Sequence, residues 1–295
     1  MPVPGPAADQ ASRARSLPGI AILGAGRMGQ GLALALRDHE VTLVSRRGHR
    51  LVEPLRAYSG SRAEAVRRAP VVILAVPDDA ISVLAAELRD DRSISPAHTV
   101  LHLSGLLDRT ALTPLADTEA ALGSYHPLQT IADPTTAPER LPGAYAGIEG
   151  DERAVSVGYR LAAALGMVPV TVPPEGKAAY HAGATVVANY TTVLFAVAER
   201  LAVRAGIPAE LAARIYLPLL RGTVANLEAG AAAALTGPVR RGDVRTILTH
   251  LAVLAEPDAA LYRGLGVEAL RLAREGGLSA EAADRVADAL GRGGV

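Results

Sequence analysis

A glycine-rich turn between an apolar segment and a helix-forming segment restricts the possible fold more than any other feature of the sequence. Residues 19–23 read as a buried strand and residues 27–37 as a helix, and between them stands Gly24-Ala25-Gly26-Arg27-Met28-Gly29. Gly24 allows a tight turn, Gly26 lets the backbone approach a phosphate, and Gly29 lets the helix pack closely on the strand. Because a helix N-terminus attracts anions, we expect this turn to hold the pyrophosphate of a dinucleotide. The alternative is a glycine turn that holds no ligand.

Strand-like and helix-like segments alternate as far as about residue 172. Further strands are predicted over residues 41–44, 71–76, 99–103, 121–125, 144–148 and 167–172. The alternation predicts an α/β Rossmann domain whose doubly wound, mostly parallel sheet is covered by helices on both faces. Beyond Pro173 and Pro174 the chain reads as helical. We therefore expect a disordered tail over residues 1–18, the Rossmann domain over 19–173 and an all-α domain over 174–295.

The composition argues against several classes of protein. Thirty Lys and Arg residues balance thirty Asp and Glu, and there is one Phe and no Trp, so neither the broad positive field nor the stacking platforms of a nucleic-acid-binding protein are expected. No cysteine occurs and no H-E-x-x-H motif is present, which argues against thiol chemistry and a metal site. No apolar run approaches the roughly 18 residues of a membrane span. We expect a soluble, cytoplasmic protein without a membrane partner.

The residues after the second strand indicate which cofactor is bound. Ser45-Arg46-Arg47 stands where NAD-selective sites usually carry an acidic residue for the ribose 2′-hydroxyl. A hydroxyl and two guanidinium groups suit a 2′-phosphate instead, although the arginines could also be ordinary solvated charges. We predict NADP(H). Val76 and Pro77, at the end of the third strand, are expected to line the same crevice, since ligands lie at the carboxyl ends of parallel strands.

Two candidate catalytic residues follow later strands. Ser104 comes after the fourth strand and is expected to approach the nicotinamide, unless Ser104-Gly105 is a plain turn. His126 is expected where the fifth strand ends beside the same crevice. It would bind a substrate oxygen or assist proton transfer, and its alternative is a structural histidine before a proline turn.

A long helix after the prolines, over residues 175–205, carries further candidates. Lys177, His181, Thr185 and Asn189 follow one another at i+4 spacing among Ala, Gly and Val, so they share one ridge of the helix. Lys177 or His181 is the candidate proton donor, and interdomain hydrogen bonding is the alternative. Asn189 is expected to make another polar contact, either with the substrate or at a subunit boundary. Arg241 would bind a substrate carboxylate or phosphate, or brace the next helix.

These strings carry a family resemblance. The chain resembles Rossmann-like proteins with a helical C-terminal domain, related to 6-phosphogluconate, β-hydroxyacid, ketopantoate and pyrroline-carboxylate reductases, in Tyr125-His-Pro-Leu-Gln129, Lys177-Ala-Ala-Tyr-His181, Asn189-Tyr190, Leu235-Thr-Gly-Pro238 and Arg241-Gly-Asp243. The resemblance implies NADPH-dependent reduction of a small carbonyl or imine compound and a homodimer formed through the helical domain. One departure stands out. Ketopantoate and β-hydroxyacid enzymes pair a lysine with an asparagine four residues later, whereas here His181 follows Lys177.

Hydride transfer from NADPH to a small 2-oxo acid, with ketopantoate as the first candidate, is the leading hypothesis. Lys177 or His181 would donate the proton, with Ser104 and His126 assisting. Reduction of a cyclic imine is the enzymatic alternative. The non-catalytic alternative is an NADPH-binding regulatory protein that keeps the fold without the chemistry.

Overall fold

The structure is a computed structural model that describes residues 17–45 and 50–291. The chain divides into two compact units, Met1–Asn189 and Tyr190–Val295. All but the last two residues of the expected tail, and also Arg46 and Arg47, lie outside the described residues.

A seven-stranded sheet organises the described part of the first unit. Its strands are β1 (Ile20–Leu23), β2 (Val41–Val44), β3 (Val71–Leu74), β4 (Thr99–His102), β5 (Ala121–Leu128), β6 (Tyr145–Gly150) and β7 (Val168–Thr171). The strand order is β2-β1-β3-β4-β5-β6-β7. Neighbouring strands are parallel except for the antiparallel pair β5 and β6. This confirms the predicted α/β class with a mostly parallel sheet.

Helical segments connect these strands. The α-helices of the first unit are α1 (Arg27–Ala35), α2 (Arg62–Arg68), α3 (Asp78–Asp90), α4 (Ala137–Arg140), α5 (Glu152–Ala164) and α6 (Lys177–Thr185). Shorter or tighter segments of 3₁₀ helix span Arg109–Thr118, Pro134–Thr136 and Pro174–Gly176, and a π-helical turn spans Val186–Tyr190. Ser61 caps α2 by accepting a hydrogen bond from the Glu64 amide, as expected for a serine at this position.

Alternate side chains of the central strands supply two separate cores. Ile20 and Ile22 of β1 belong to one buried apolar cluster, and Ala21 and Leu23 belong to another. Because successive side chains of a strand point to opposite faces, both faces of the sheet are covered. An apolar strand without polar alternation is the sequence pattern of such a doubly covered sheet.

Strand β5 runs further than predicted. It was expected to end at Tyr125 but continues to Leu128, because residues 123–128 pair with β6 in antiparallel register. His126 therefore lies inside a strand, opposite Gly147, and not at a strand end.

The second unit is entirely helical in its described residues. Its helices are α7 (Thr191–Arg204), α8 (Ala209–Ile215), α9 (Leu217–Asn226), a 3₁₀ turn (Leu227–Ala229), α10 (Ala231–Ala234), α11 (Pro238–Arg241), α12 (Val244–Val253), α13 (Asp258–Glu275) and α14 (Ala280–Gly291). Asp243 caps α12 by accepting a hydrogen bond from the Thr246 amide. The break between α8 and α9 at Tyr216 falls just before Pro218, which occupies the first turn of α9. A buried cluster from α11 to α14 forms the core of this unit.

The division between the units differs from the predicted boundary near Pro173. The first unit extends to Asn189, because α6 is anchored to the sheet. Lys177, at the start of α6, is buried and donates a hydrogen bond to Ser124 of β5.

The helical run Pro174–Arg204 is long and apolar enough to cross a membrane, judged by length and composition alone. Its most apolar window has a mean hydropathy of 1.4 and is only 6% buried. The expectation that no run reaches this length is therefore wrong by this measure. Isolated polar groups such as His181 and Asn189 interrupt the apolar pattern, but they do not lower its mean hydropathy below that of a possible membrane span.

Candidate functional site

The glycine turn packs directly on the end of β3. Gly24 has a φ of +118°, and a Cβ there would lie 2.3 Å from the Ala75 carbonyl oxygen. A Cβ on Gly29 would lie 2.0 Å from the Gly24 carbonyl oxygen. Since neither position has room for a side chain, both glycines are required for the helix to sit this close to the strands.

Gly26 differs from these two glycines because the space beside it is open. Its φ of −67° and ψ of 179° suit any residue, and a Cβ would meet no atom within 4 Å. The open side faces a crevice lined by the glycine turn, by residues that follow β3 and β4 and by part of β5. The N-terminus of α1 opens into this crevice, so its free amides can bind an anion.

Gln30 holds the turn in place and was not predicted from the sequence. Its side chain is buried and donates to the carbonyl oxygens of Ala25, at 2.8 Å, and of Arg50, at 3.3 Å. It also accepts a hydrogen bond of 2.8 Å from the Val52 amide. Gln30 therefore ties the glycine turn to the segment that begins at Arg50.

Some of the predicted cofactor residues line the crevice, and the others follow β2. Arg27, Met28, Val76 and Pro77 line the crevice, as do the predicted catalytic residues Ser104 and His126. Ser45 follows β2 and is half-buried. The choice of NADP over NAD was predicted from the arginines that follow it, which lie outside the described residues, so this choice stays a prediction.

The Ser104 hydroxyl shapes its own loop. It donates a hydrogen bond of 2.8 Å to Asp78 and accepts hydrogen bonds from the amides of Leu106, at 3.2 Å, and Leu107, at 3.0 Å. These three bonds use the donor and both acceptor positions of a hydroxyl. The side chain that was expected to assist catalysis thus braces the turn after β4.

His102, the last residue of β4, forms hydrogen bonds with the same turn. Its Nδ1 accepts a hydrogen bond of 3.2 Å from the Ser104 amide, so its Nε2 carries the proton and donates to the Asp108 carbonyl oxygen at 2.9 Å. Burial is the main cause that lowers the pKa of His102 to about 4. The ring of His98, four residues before His102, forms hydrogen bonds with Ser95 and with the Val66 carbonyl oxygen. Among the described residues there is no group of His, Asp and Glu that could hold a metal ion.

His126 is the imidazole that lines the crevice. Its Nδ1 lies 3.0 Å from the Tyr180 hydroxyl, and its ring meets the ring of His181 edge to face, with centroids 5.9 Å apart. Burial, then the neighbouring positive charges of His181 and Lys177, lowers the pKa of His126 to about 4. His126 is therefore neutral at pH 7. If Nδ1 accepts the tyrosine proton, Nε2 carries the hydrogen and is a donor.

Gly105 brings the loop backbone against both imidazoles. A Cβ at this position would lie 2.7 Å from Cδ2 of His181 and 2.8 Å from Cε1 of His126. His181 is half-buried and is not among the crevice-lining residues of the described chain. The two histidines and the Gly105 backbone nevertheless form one compact group.

Lys177 is placed differently from the prediction. It was expected to point into the crevice, but only 2% of it is exposed. Its Nζ donates to Ser124 Oγ at 2.7 Å and to the Ser104 carbonyl oxygen at 3.4 Å. Burial lowers the pKa of Lys177, while the nearby carboxylate of Glu149 opposes that change.

The remaining predicted residues lie elsewhere. Asn189 is exposed within the π-helical turn Val186–Tyr190, a kind of irregularity that is frequent at functional sites. Arg241 ends α11 in the second unit. The substrate-binding roles of both residues stay predictions.

Two family models match parts of the chain. Residues 19–101 match the family described as NADP oxidoreductase, coenzyme F420-dependent. Residues 144–269 match a domain of unknown function, DUF2520. No curated protein matches the chain by sequence.

Solved structures of several oxidoreductases share the fold. A candidate NADP oxidoreductase from Bacteroides fragilis has a TM-score of 0.63 at 21% identity, and the match covers 86% of this chain and 98% of that one. A protein from Thermotoga maritima gives 0.64 at 20% identity, covering 87% and 98%. Pyrroline carboxylate reductase from Plasmodium falciparum, solved with NADP bound, gives 0.58 at 11% identity, covering 92% and 98%.

The family matches and the geometry of the glycine turn agree with each other, because the first match begins just before β1 and includes the whole turn. At the identities observed, the solved structures bear on the fold alone. The chain is therefore similar to the coenzyme F420-dependent NADP oxidoreductase family over residues 19–101 and to a domain of unknown function over residues 144–269.

Proposed function

We propose that this protein is an NADPH-dependent reductase of a small carbonyl compound, with a 2-oxo acid such as ketopantoate as the first substrate to test. One observation carries the proposal. The open face of Gly26 and the neutral imidazole of His126 line the same crevice. A phosphate-binding turn and a polar group suited to a carbonyl oxygen thus share one site.

The residues present fit a dinucleotide. The open space at Gly26 admits a pyrophosphate against the N-terminus of α1, and Val76 and Pro77 offer apolar surface farther along the crevice. The first turn of α1 carries no acidic residue that would repel a phosphate. Bound there, NADPH would supply the hydride. Ser45, Arg46 and Arg47 are proposed to contact the 2′-phosphate.

His126 and His181 are proposed to act on the substrate oxygen. His126, neutral and held by Tyr180, donates a hydrogen bond from Nε2 and polarises the carbonyl group. As the hydride joins the carbonyl carbon, the C=O π pair moves to oxygen, and the oxygen takes a proton from His181, whose ring contacts that of His126. The product is the hydroxy acid, and His181 is left neutral until it regains a proton from water.

Reduction of an imine is the second candidate, and Asp78 is the observation that favours it. Its carboxylate lines the crevice and binds the Ser104 hydroxyl. A negative charge there favours a cationic iminium group over an anionic oxo acid. An iminium nitrogen already carries its proton, so this reaction would need no acid.

A substrate panel tests the proposed reaction. NADPH oxidation is followed at 340 nm with ketopantoate, other 2-oxo acids and cyclic imines such as pyrroline-5-carboxylate, and we expect turnover with at least one oxo acid. Preferential turnover of the imines would transfer the assignment to the second candidate. NADPH binding by calorimetry without any turnover would instead support a regulatory protein, and no binding of either redox form would refute the proposal.

We also propose that the protein is a homodimer formed through its helical unit. Large apolar side chains on α7 and α9 are exposed, including Val193 at 53%, Leu219 at 68% and Val224 at 57%. Apolar surface of this kind, exposed to water, usually marks an interface with another protein. Sedimentation equilibrium should give twice the chain mass, and Leu219→Glu should shift the population to the monomer. A monomeric wild-type protein at micromolar concentration would contradict this.

A further inference from the structure

A buried row of polar groups runs beneath the candidate site. Lys177 Nζ donates to Ser124 Oγ at 2.7 Å, and Ser124 Oγ donates to Glu149 Oε2 at 3.4 Å. Glu149 also accepts a hydrogen bond of 2.8 Å from the Arg109 amide. Lys177, Ser124 and Glu149 are 2%, 0% and 4% exposed, respectively. Charged groups at this depth are costly unless their hydrogen bonds are well satisfied.

The position of these groups suggests what they hold. Ser124 and Glu149 face each other across β5 and β6, while the second bond of the ammonium goes to the carbonyl oxygen of Ser104. The next residue, Gly105, is the one whose backbone lies against the rings of His126 and His181. The ammonium therefore links the sheet, the start of α6 and the loop that contacts both imidazoles.

The composition of the chain adds an independent observation. Lys177 is the only lysine among the thirty Lys and Arg residues of the sequence. An ammonium is compact and directs three donors tetrahedrally, whereas a guanidinium is larger and planar. A buried position with a hydroxyl and a carbonyl oxygen as acceptors suits an ammonium better than a guanidinium. Every other Lys or Arg position of the chain is an arginine.

We propose that Lys177 is a positioning residue, whose buried ammonium holds the Ser104–Gly105 loop against His126 and His181. This inference rests on the proposed function, in which those two imidazoles act on the substrate oxygen. Lys177 itself does not reach the substrate, because its ammonium is sealed between β5 and the loop. The proton of the reaction therefore comes from another group.

The single lysine makes a direct test possible. Protein labelled with [ζ-¹⁵N]lysine carries one labelled side-chain ammonium, which NMR can observe without interference. We expect a protonated signal with slow hydrogen exchange at pH 7, unchanged by saturating oxo acid and NADP⁺. A midpoint of the kcat–pH profile that coincides with titration of this ammonium would overturn the proposal, because Lys177 would then be the proton donor.

Substitutions test whether the contacts matter for the reaction. Lys177→Arg keeps the charge but not the shape, and we expect kcat to fall at least tenfold while the NADPH dissociation constant stays within twofold and the kcat–pH midpoints do not move. Unchanged kcat would contradict a positioning role. Ser124→Ala removes one acceptor of the Lys177 ammonium and leaves the lysine in place. This variant therefore replaces Lys177→Arg as the test if Lys177→Arg does not fold. It should accelerate ammonium exchange and lower kcat by a smaller factor.

A matched control is Ser93→Ala. Ser93 is also a buried serine of the first unit, with its hydroxyl bonded to the Leu88 carbonyl oxygen, and its loss should change neither ammonium exchange nor kcat. The exchange measurement needs no turnover. If the proposed reaction fails, the same spectra still report whether the ammonium is sealed and bound to Ser124, so the two failures are distinguishable. Rapid exchange in the wild-type protein would by itself overturn the inference.

Discussion

Replacing Gly26 with valine should raise the NADPH dissociation constant at least 100-fold, or about 2.7 kcal/mol. The valine side chain would occupy the open space in which the pyrophosphate is proposed to meet the N-terminus of α1. The backbone at Gly26 is extended, with a φ of −67°, so valine is compatible with the fold. We therefore expect the free energy of unfolding to change by only about 0.5 kcal/mol. Calorimetric titration with NADPH and urea denaturation measure the two quantities.

The choice of Gly26 separates binding from folding. Gly24→Ala would place its Cβ 2.3 Å from the Ala75 carbonyl oxygen, so a loss of binding there would be explained by unfolding alone. Gly264→Ala is a matched control, because this exposed glycine of α13 also has nothing within 4 Å of a Cβ. Wild-type affinity in Gly26→Val would mean that the dinucleotide does not bind over this turn.

Local patterns were sufficient to predict most of the sheet. The apolar runs of β1 and β3 and the glycine turn between β1 and α1 depend on neighbouring residues, and all were located within two residues of their ends. The error at β5 has a different origin. Its last three residues are in a strand because they pair with β6, some twenty residues later. Pairing of this kind is a tertiary effect, which overrides local strand signals such as the proline after His126.

The candidate site could be predicted only in part, for the same reason. The ridge of Lys177 and His181 was visible as i+4 spacing, but spacing does not reveal which residue is buried. The burial of Lys177 depends on Ser124, 53 residues earlier in the chain, and on Glu149 across the antiparallel pair. Tyr180 escaped notice because its role depends on contact with His126. The one available signal was compositional, since a lone lysine in an arginine-rich chain marks a position where an ammonium is specifically suited.

Replacing His181 with asparagine should lower kcat for a 2-oxo acid by about 10³-fold, within the range typical of a lost general acid. The alkoxide that forms on hydride transfer would then lack its proposed acid, because His126 is neutral, with a pKa of about 4, and Lys177 is sealed. The dissociation constant of NADPH should not change, since His181 is proposed to act on the substrate oxygen and is not one of the predicted cofactor-binding residues. Single-turnover measurements separate the hydride step from product release.

The same variant distinguishes the two candidate reactions. An iminium substrate already carries its proton, so its reduction by His181→Asn should be slowed by less than tenfold. His250→Asn is the control, because His250 is likewise a helical histidine that meets an aromatic ring edge to face, here Tyr262 of the second unit. Full activity of His181→Asn toward oxo acids would exclude His181 as the acid. Lys177 and Ser104 already use their donors in hydrogen bonds to the Ser104 carbonyl oxygen and to Asp78, respectively. The proton would then have to pass through His126 and Tyr180.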